Sequence, residues 1–401
     1  MLLTVRRAAK LLAAAAVIPA SLLIAGTTLA SAAPARAGAH AWPAQRYVVR
    51  PILFGSKLHH TFTPAGSTKP VTQALTQPDD ITHSGPDLFS AFQNGLGPQG
   101  QVGPGGDPNS TVVEYTPAGH VIQQWDVKGH CDGLTADPAL HLVFATVNED
   151  ANSSIFTITP GAPAGAQVVH YRYNDSPLPH NGGTDAVSIY HGLVLISASA
   201  PGTAGKPAPQ PTYPAVYSAT FDRATLVATV KPVYYDEAPA TVANTNSTEF
   251  GKVVRLGLTD PDSNEVVPQN AFRFAGDFML TSQGDKEQIF TGLRGGLGRN
   301  LAVLRLTQSV DDTAWVSSRF GHLFADDHDG DTVDMVSGPF RVGSVFVAVT
   351  PCDANGAPAT CPAPGFPPNY LGSLNPWTGQ ISRVSISGPN PEPQGMIFIA
   401  G

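Results

Sequence analysis

Charge is scarce in this sequence. Lys, Arg, Asp and Glu make up only 13 % of its 401 residues, and 23 basic residues face 31 acidic ones for a formal charge of −8. So little positive charge excludes recognition of nucleic acid through its phosphates. Beyond the first thirty residues no apolar run is long enough to span a bilayer. Familiar catalytic signatures are also missing: there is no G-x-S-x-G nucleophile elbow, no H-E-x-x-H zinc helix and no G-x-G-x-x-G phosphate loop. The run Gly295-Gly296-Leu297-Gly298 lies between strand-like segments and reads as a turn.

What is present begins with a leader. Arg6, Arg7 and Lys10 stand without any acid ahead of an Ala/Leu/Ile-rich run from Leu11 to Ala30, the pattern of a signal peptide. Ala30-Ser31-Ala32 offers the small residues for cleavage, and Ala35-Arg36-Ala37 is an alternative. The expected organisation is therefore a signal peptide over 1–32 and a mature chain over 33–401, secreted or held in the cell envelope with no transmembrane segment after cleavage. An uncleaved anchor is the competing reading. Loss of Arg6, Arg7 and Lys10 takes the formal charge from −8 to −11. In an oxidising compartment Cys352 and Cys361, which bracket a short turn-rich stretch, are expected to form a disulfide. Cys131 is then left as a buried thiol.

With 40 Gly, 37 Pro and short β-branched apolar runs, the composition predicts an all-β fold. A phrase recurs along it: an acid or amide, a variable residue, an aliphatic residue, a turn, then an apolar strand. Its copies start at Asp79, Asp132, Asp185, Asp260, Asp334 and Gln394, at intervals of 53, 53, 75, 74 and 60 residues. A repeat of this period, with a second hairpin after most apolar strands, predicts a single six-bladed β-propeller. The sixth phrase lacks an outer hairpin, which Tyr47–Phe54 and Lys57–Pro64 are expected to supply, closing the ring by pairing N- and C-terminal strands. Pro201–Pro214 and Pro239–Gly251 read as surface loops.

In such a ring the first residues of the phrases converge at one mouth, so Asp79, Asp132, Asp185, Asp260 and Asp334 are candidate ligands for calcium or another divalent cation. The alternative is that each caps a turn of its own blade. Asp260-Pro261-Asp262-Ser263-Asn264-Glu265 adds Asp262 as a ligand, and Asp326-Asp327-His328-Asp329-Gly330-Asp331 has similar oxygen spacing; a solvated acidic turn is the other reading of both. Asn148-Glu149-Asp150 and Gln283-Gly284-Asp285 are assigned to turns at the far end of their strands.

The phrase and its apolar strand resemble, over most of residues 79–399, the NHL-repeat, gluconolactonase-like and virginiamycin B lyase-like propeller families. The gluconolactonase-like resemblance implies a divalent metal held at the axis by Glu, Asn and Asp. Asp79, Asp132, Asp185 and Asp260 stand at broadly similar positions, and the glutamate expected in the first blade is absent. The lyase-like resemblance implies paired histidines, for which His130 and His180 are the candidates as catalytic bases. Three functions are compatible: a binding scaffold for a small molecule, glycan or envelope partner at the channel mouth, a metal-assisted hydrolase or lyase, and a structural envelope protein.

Overall fold

The computed structural model describes residues 46–200, 212–294, 296–357, 361 and 369–401; the leader over 1–32 and the 201–211 stretch lie outside them. Among the described residues there is no α-helix, and no helix is long and apolar enough to cross a membrane. The chain is all-β.

Sheet one is an antiparallel meander of Pro78–Ser84, Asp87–Phe92, Asn109–Tyr115 and Val121–Lys128. Sheet two repeats it with Cys131–Asp137, Leu142–Val147, Ser154–Ile158 and Val168–Tyr173. Sheet three does so with Val187–Tyr190, Leu193–Ser197, Pro214–Asp222 and Val227–Tyr235. A short parallel pairing of Arg172–Tyr173 with Val227–Ala228 joins sheets two and three at their outer edges. Sheet four runs Pro261–Val266, Phe278–Ser282, Glu287–Thr291 and Leu301–Arg305.

Both faces of each sheet are covered by neighbours, which is why second strands read as continuous apolar runs: Phe278–Ser282 and Val345–Val349 are buried at every position. Outer strands instead alternate, as in Val121–Lys128, where only Trp125 and Val127 are buried. Between sheets one and two, Phe89, Val112 and Trp125 meet Leu134, Val143 and Phe156. Between sheets three and four, Tyr190, Leu195 and Tyr234 meet Phe278, Leu280 and Ile289. Truncating Phe278 to Ala at such a site costs about 3–5 kcal/mol.

The last two sheets depart from the meander. Val310–Trp315 pairs with Val345–Val349, then Tyr370–Leu374 and Ile381–Arg383, to make sheet five. The intervening hairpin Gly321–Asp327/Thr332–Ser337 leaves that sheet for sheet six. There it lies between Pro393–Ala400 on one side and Tyr47–Phe54 on the other. The N- and C-terminal strands thus share a sheet without pairing to each other, a correction to the expected direct pairing. His59–Phe62, within the predicted Lys57–Pro64 contribution, pairs instead with Val71–Ala74 in a separate hairpin. Pro239–Val242, read as loop, is a strand added in parallel to Leu301–Val303 at the edge of sheet four.

That small hairpin is fastened to sheet one by an ion network in which His60 and Asp107 are buried and Asp126 reaches the surface. His60 Nε2 lies 2.9 Å from Asp107 Oδ2, and its Nδ1 lies 3.2 Å from Asp126 Oδ1. Gln73 Nε2 donates to Asp107 Oδ2 at 2.8 Å, the Asn109 N–H donates to Asp107 Oδ1 at 3.0 Å, and Thr111 Oγ1 donates to Asp126 Oδ1 at 2.9 Å. Burial works against a charge on His60, but the two carboxylates outweigh it and lift its pKa to about 9. Cys352 and Cys361 are disulfide-bonded, and Cys131 is a buried free thiol.

Candidate metal-binding site

The first strand of every sheet faces one cavity of about 760 Å³. In five of these strands the pairing with the next strand slips at the acidic phrase: between Pro78 and Ile81, Cys131 and Gly133, Pro261 and Asn264, Val310 and Thr313, and between the Ala325 and Asp327 partners Met396 and Pro393. A β-bulge frees one or two residues from the ladder and re-aims their side chains. Here the freed residues include Asp79, Asp80, Asp132, Asp262, Asp311 and Asp312, which line the cavity. Neighbouring first strands come within van der Waals range at the same level. A Cβ on Gly133 would collide with Thr146 Oγ1 and the Asp185 carbonyl, and one on Gly395 with the Asp79 carbonyl.

Among the described residues, eleven carboxyl side chains line this cavity, with His130 and His328 but with no Lys or Arg. Some serve the backbone. Asp80 accepts from the N–H groups of Ile81 (2.7 Å) and Leu134 (2.5 Å), and Asp312 from those of Thr313 (2.7 Å) and Met396 (2.6 Å), each bridging its strand to the next. Asp260 accepts from the Gly284 N–H at 3.0 Å. Others are left open. Asp132 Oδ1 accepts from Gln93 Nε2 at 2.8 Å, but its Oδ2 has no partner; nor do Asp185 Oδ2, Asp262 Oδ2 and Asn264 Oδ1, all on residues no more than 9 % exposed. One carboxyl oxygen of Asp185 lies within 4.8 Å of one of Asp262, a like-charge contact that a shared proton or a cation relieves.

Ligand-type atoms cluster in two places. One from each of His130, Asp132 and Glu149 lie within 4.8 Å of one another, and so do those from Glu149, Asp185 and Asp262. His130 Nδ1 stands 3.1 Å from Asp132 Oδ1 without the alignment of a hydrogen bond. Like charges this crowded cannot all ionise unaided. Burial, reinforced by neighbouring carboxylates, drives Asp79, Asp262, Asp311 and Glu149 well above the usual range. Asp185 and Asp312 are pushed up to about 7 and Asp260 to about 6, burial being the leading cause in each. For His130 burial opposes the charge, but Asp132, Asp185 and Asp150 raise its pKa overall.

Of the residues singled out in the sequence, Asp79, Asp132, Asp185, Asp260, Asp262 and His130 line the cavity. Asp334 does not. It sits on the third strand of sheet six, because the hairpin carrying it crosses from sheet five, and its Oδ1 accepts from Thr332 Oγ1 at 3.4 Å. His180 is not in the cavity either: it is fully buried, with Nδ1 2.7 Å from Tyr217 Oη and Nε2 2.6 Å from the Gly183 carbonyl. Burial lowers its pKa to about 4, and both ring nitrogens are engaged, so it is a structural residue rather than a base at the mouth.

Asp260–Glu265 is not a loop, since Pro261–Val266 is the cavity strand of sheet four. Asp326–Asp331 is the end of the strand Gly321–Asp327 and the hairpin turn after it, in which Asp327 caps the Gly330 N–H at 3.0 Å and Asp331 accepts from the Gln77 N–H at 2.8 Å. Glu149 and Gln283, assigned to the far end of their strands, line the cavity. The second strand of each sheet runs antiparallel to the first and so brings its end back to the first strand's start. Strand direction was the available signal for them. Asp311 and Asp312 were missed because the phrase search placed the fifth copy at Asp334.

No known family's sequence signature matches the chain, and no curated protein matches it. Solved structures similar to it include propeller proteins. The periplasmic gluconolactonase of Pseudomonas aeruginosa is 12 % identical with a TM-score of 0.42, covering 88 % of this chain and 99 % of that one. A streptogramin B lyase is 9 % identical with a TM-score of 0.39, covering 85 % and 91 %. Hydrazine synthase of Kuenenia stuttgartiensis is 11 % identical with a TM-score of 0.39; 80 % of this chain is covered, but only 66 % of that one.

Proposed function

We propose that the chain is a secreted six-bladed β-propeller, residues 33–401 after loss of a signal peptide over 1–32, that binds a small molecule or glycan at its channel mouth with the help of a divalent cation. Closure is supported by contact of each cavity strand with the next, Pro393–Ala400 returning to Pro78–Ser84. It is supported too by the core of Leu53, Phe324 and Val333 with Ile81, Leu88 and Phe92, which joins sheet six to sheet one.

The observation that carries the cation is the set of open oxygens Asp132 Oδ2, Asp185 Oδ2 and Asp262 Oδ2 in a cavity with no Lys or Arg among the described residues that line it. A buried carboxylate oxygen left unpaired is costly, and a cation removes that cost. An oxygen-dominated donor set suits calcium, magnesium or manganese. Calcium takes about six to eight ligands, so side chains on the cavity wall leave positions for ligand hydroxyl or carbonyl oxygens. The second reading, hydrolase or lyase chemistry, is favoured by His130, an imidazole that lines the cavity beside Asp132 and is thereby a candidate general base.

The test is thermal unfolding of EDTA-treated protein with and without added calcium or manganese, together with elemental analysis of protein purified without chelator. A stoichiometric metal and a rise in Tm that Asp185→Asn diminishes are expected. An unchanged melt and metal-free protein would overturn the reading.

A further inference from the structure

Resting on that cation reading, we infer that the cavity holds two divalent cations side by side, with Glu149 as the carboxylate between them. The donors do not form one group. His130 and Asp132 gather with Glu149, and Asp185 and Asp262 gather with Glu149, each set within 4.8 Å. Glu149 is common to both, and a carboxylate's two oxygens allow it to bridge two ions.

Each half carries its own sign of a missing ligand. On one side Asp132, 7 % exposed, has Oδ2 without a partner; on the other Asp185 and Asp262, 4 % and 9 % exposed, each have an open Oδ2. Charge points the same way. Asp132, Glu149, Asp185 and Asp262, the four carboxylates of the two sets, match the charge of two divalent cations. Paired metal sites with centres about 3.5–4 Å apart are a known arrangement for clamping two oxygens of one ligand. The ligand class that fits is therefore one with two neighbouring oxygen donors, such as a vicinal diol or a hydroxy-carbonyl group.

The experiment is titration of the EDTA-treated full-length protein with calcium by calorimetry and with manganese by EPR. Two ions per chain are expected, with the manganese pair giving an exchange-coupled spectrum. Asp262→Asn should leave one ion and an uncoupled signal; Asp132→Asn should do the same from the other side; Glu149→Gln should weaken both binding steps. The Asp262 and Asp132 variants keep the test decisive if Glu149→Gln fails to fold. One ion per chain in the unmodified protein overturns the pair while leaving the cation reading intact. Two uncoupled ions, of which Glu149→Gln affects only one, overturn the bridge. No binding overturns both.

Discussion

Two buried clusters of charge in this molecule are built in opposite ways. Around His60 opposite charges meet: one imidazolium lies between two carboxylates, Gln73 and Thr111 donate to the oxygens it faces, and the Asn109 N–H donates to Asp107 Oδ1. In the cavity, carboxylates face carboxylates, and oxygens of Asp132, Asp185 and Asp262 have no partner. A satisfied network needs nothing from outside and fastens a hairpin. An unsatisfied one lowers stability and is retained where something else completes it.

The sharpest way to break this comparison is to remove one carboxylate from each cluster in metal-free protein. Asp107→Asn removes the buried partner of His60, leaving it only the more exposed Asp126, and should destabilise by about 3–5 kcal/mol, the range for half of a buried ion pair. Asp262→Asn relieves repulsion and should raise stability while diminishing the response to calcium. Urea denaturation in EDTA reads both, and a loss of equal size in the two variants would end the distinction.

Solution pH separates the clusters next. Asp185 and Asp312 titrate near 7 and Asp260 near 6 in the folded chain, against about 4 when unfolded. The folded state therefore holds more protons across that window, and metal-free stability should fall as pH rises from about 4 to 7. His60 has its folded pKa raised to about 9, so its contribution is complete below about 6.5 and is lost as pH rises through 9. Calcium should flatten the first slope and leave the second, which His60→Gln removes. Melting curves from pH 4 to 10, with and without calcium, measure the difference; a calcium-insensitive acid slope would contradict it. The smallest effect is expected from Asp334→Asn, which lies outside the cavity: calcium uptake should be unchanged in calorimetry.

Much of this was legible in the sequence. The phrases at Asp79, Asp132, Asp185 and Gln394 mark cavity strands or their entry, because an acid ahead of a doubly covered apolar strand is a local pattern. The fifth copy misled because Asp334-Met335-Val336 precedes the apolar Val345–Val349 just as a cavity phrase would. Sequential strands usually pair; here a hairpin is spliced between two strands that pair with each other, and no local signal announces it. The donor role of Glu149 escaped for a different reason, since its position follows from strand direction and not from any motif.

Sheet six draws its strands from Tyr47–Phe54, Gly321–Ser337 and Pro393–Ala400, and its middle hairpin interrupts sheet five. Sheets one to four form by neighbour-to-neighbour closure, whereas sheet six must bring together stretches hundreds of residues apart, a slow kind of search. Neither of the last two sheets can be completed or dismantled without the other. They form one cooperative folding unit, the wall that Asp311, Asp312 and Gln394 give to the cavity arrives only with it, and amides of both sheets should exchange their hydrogens together.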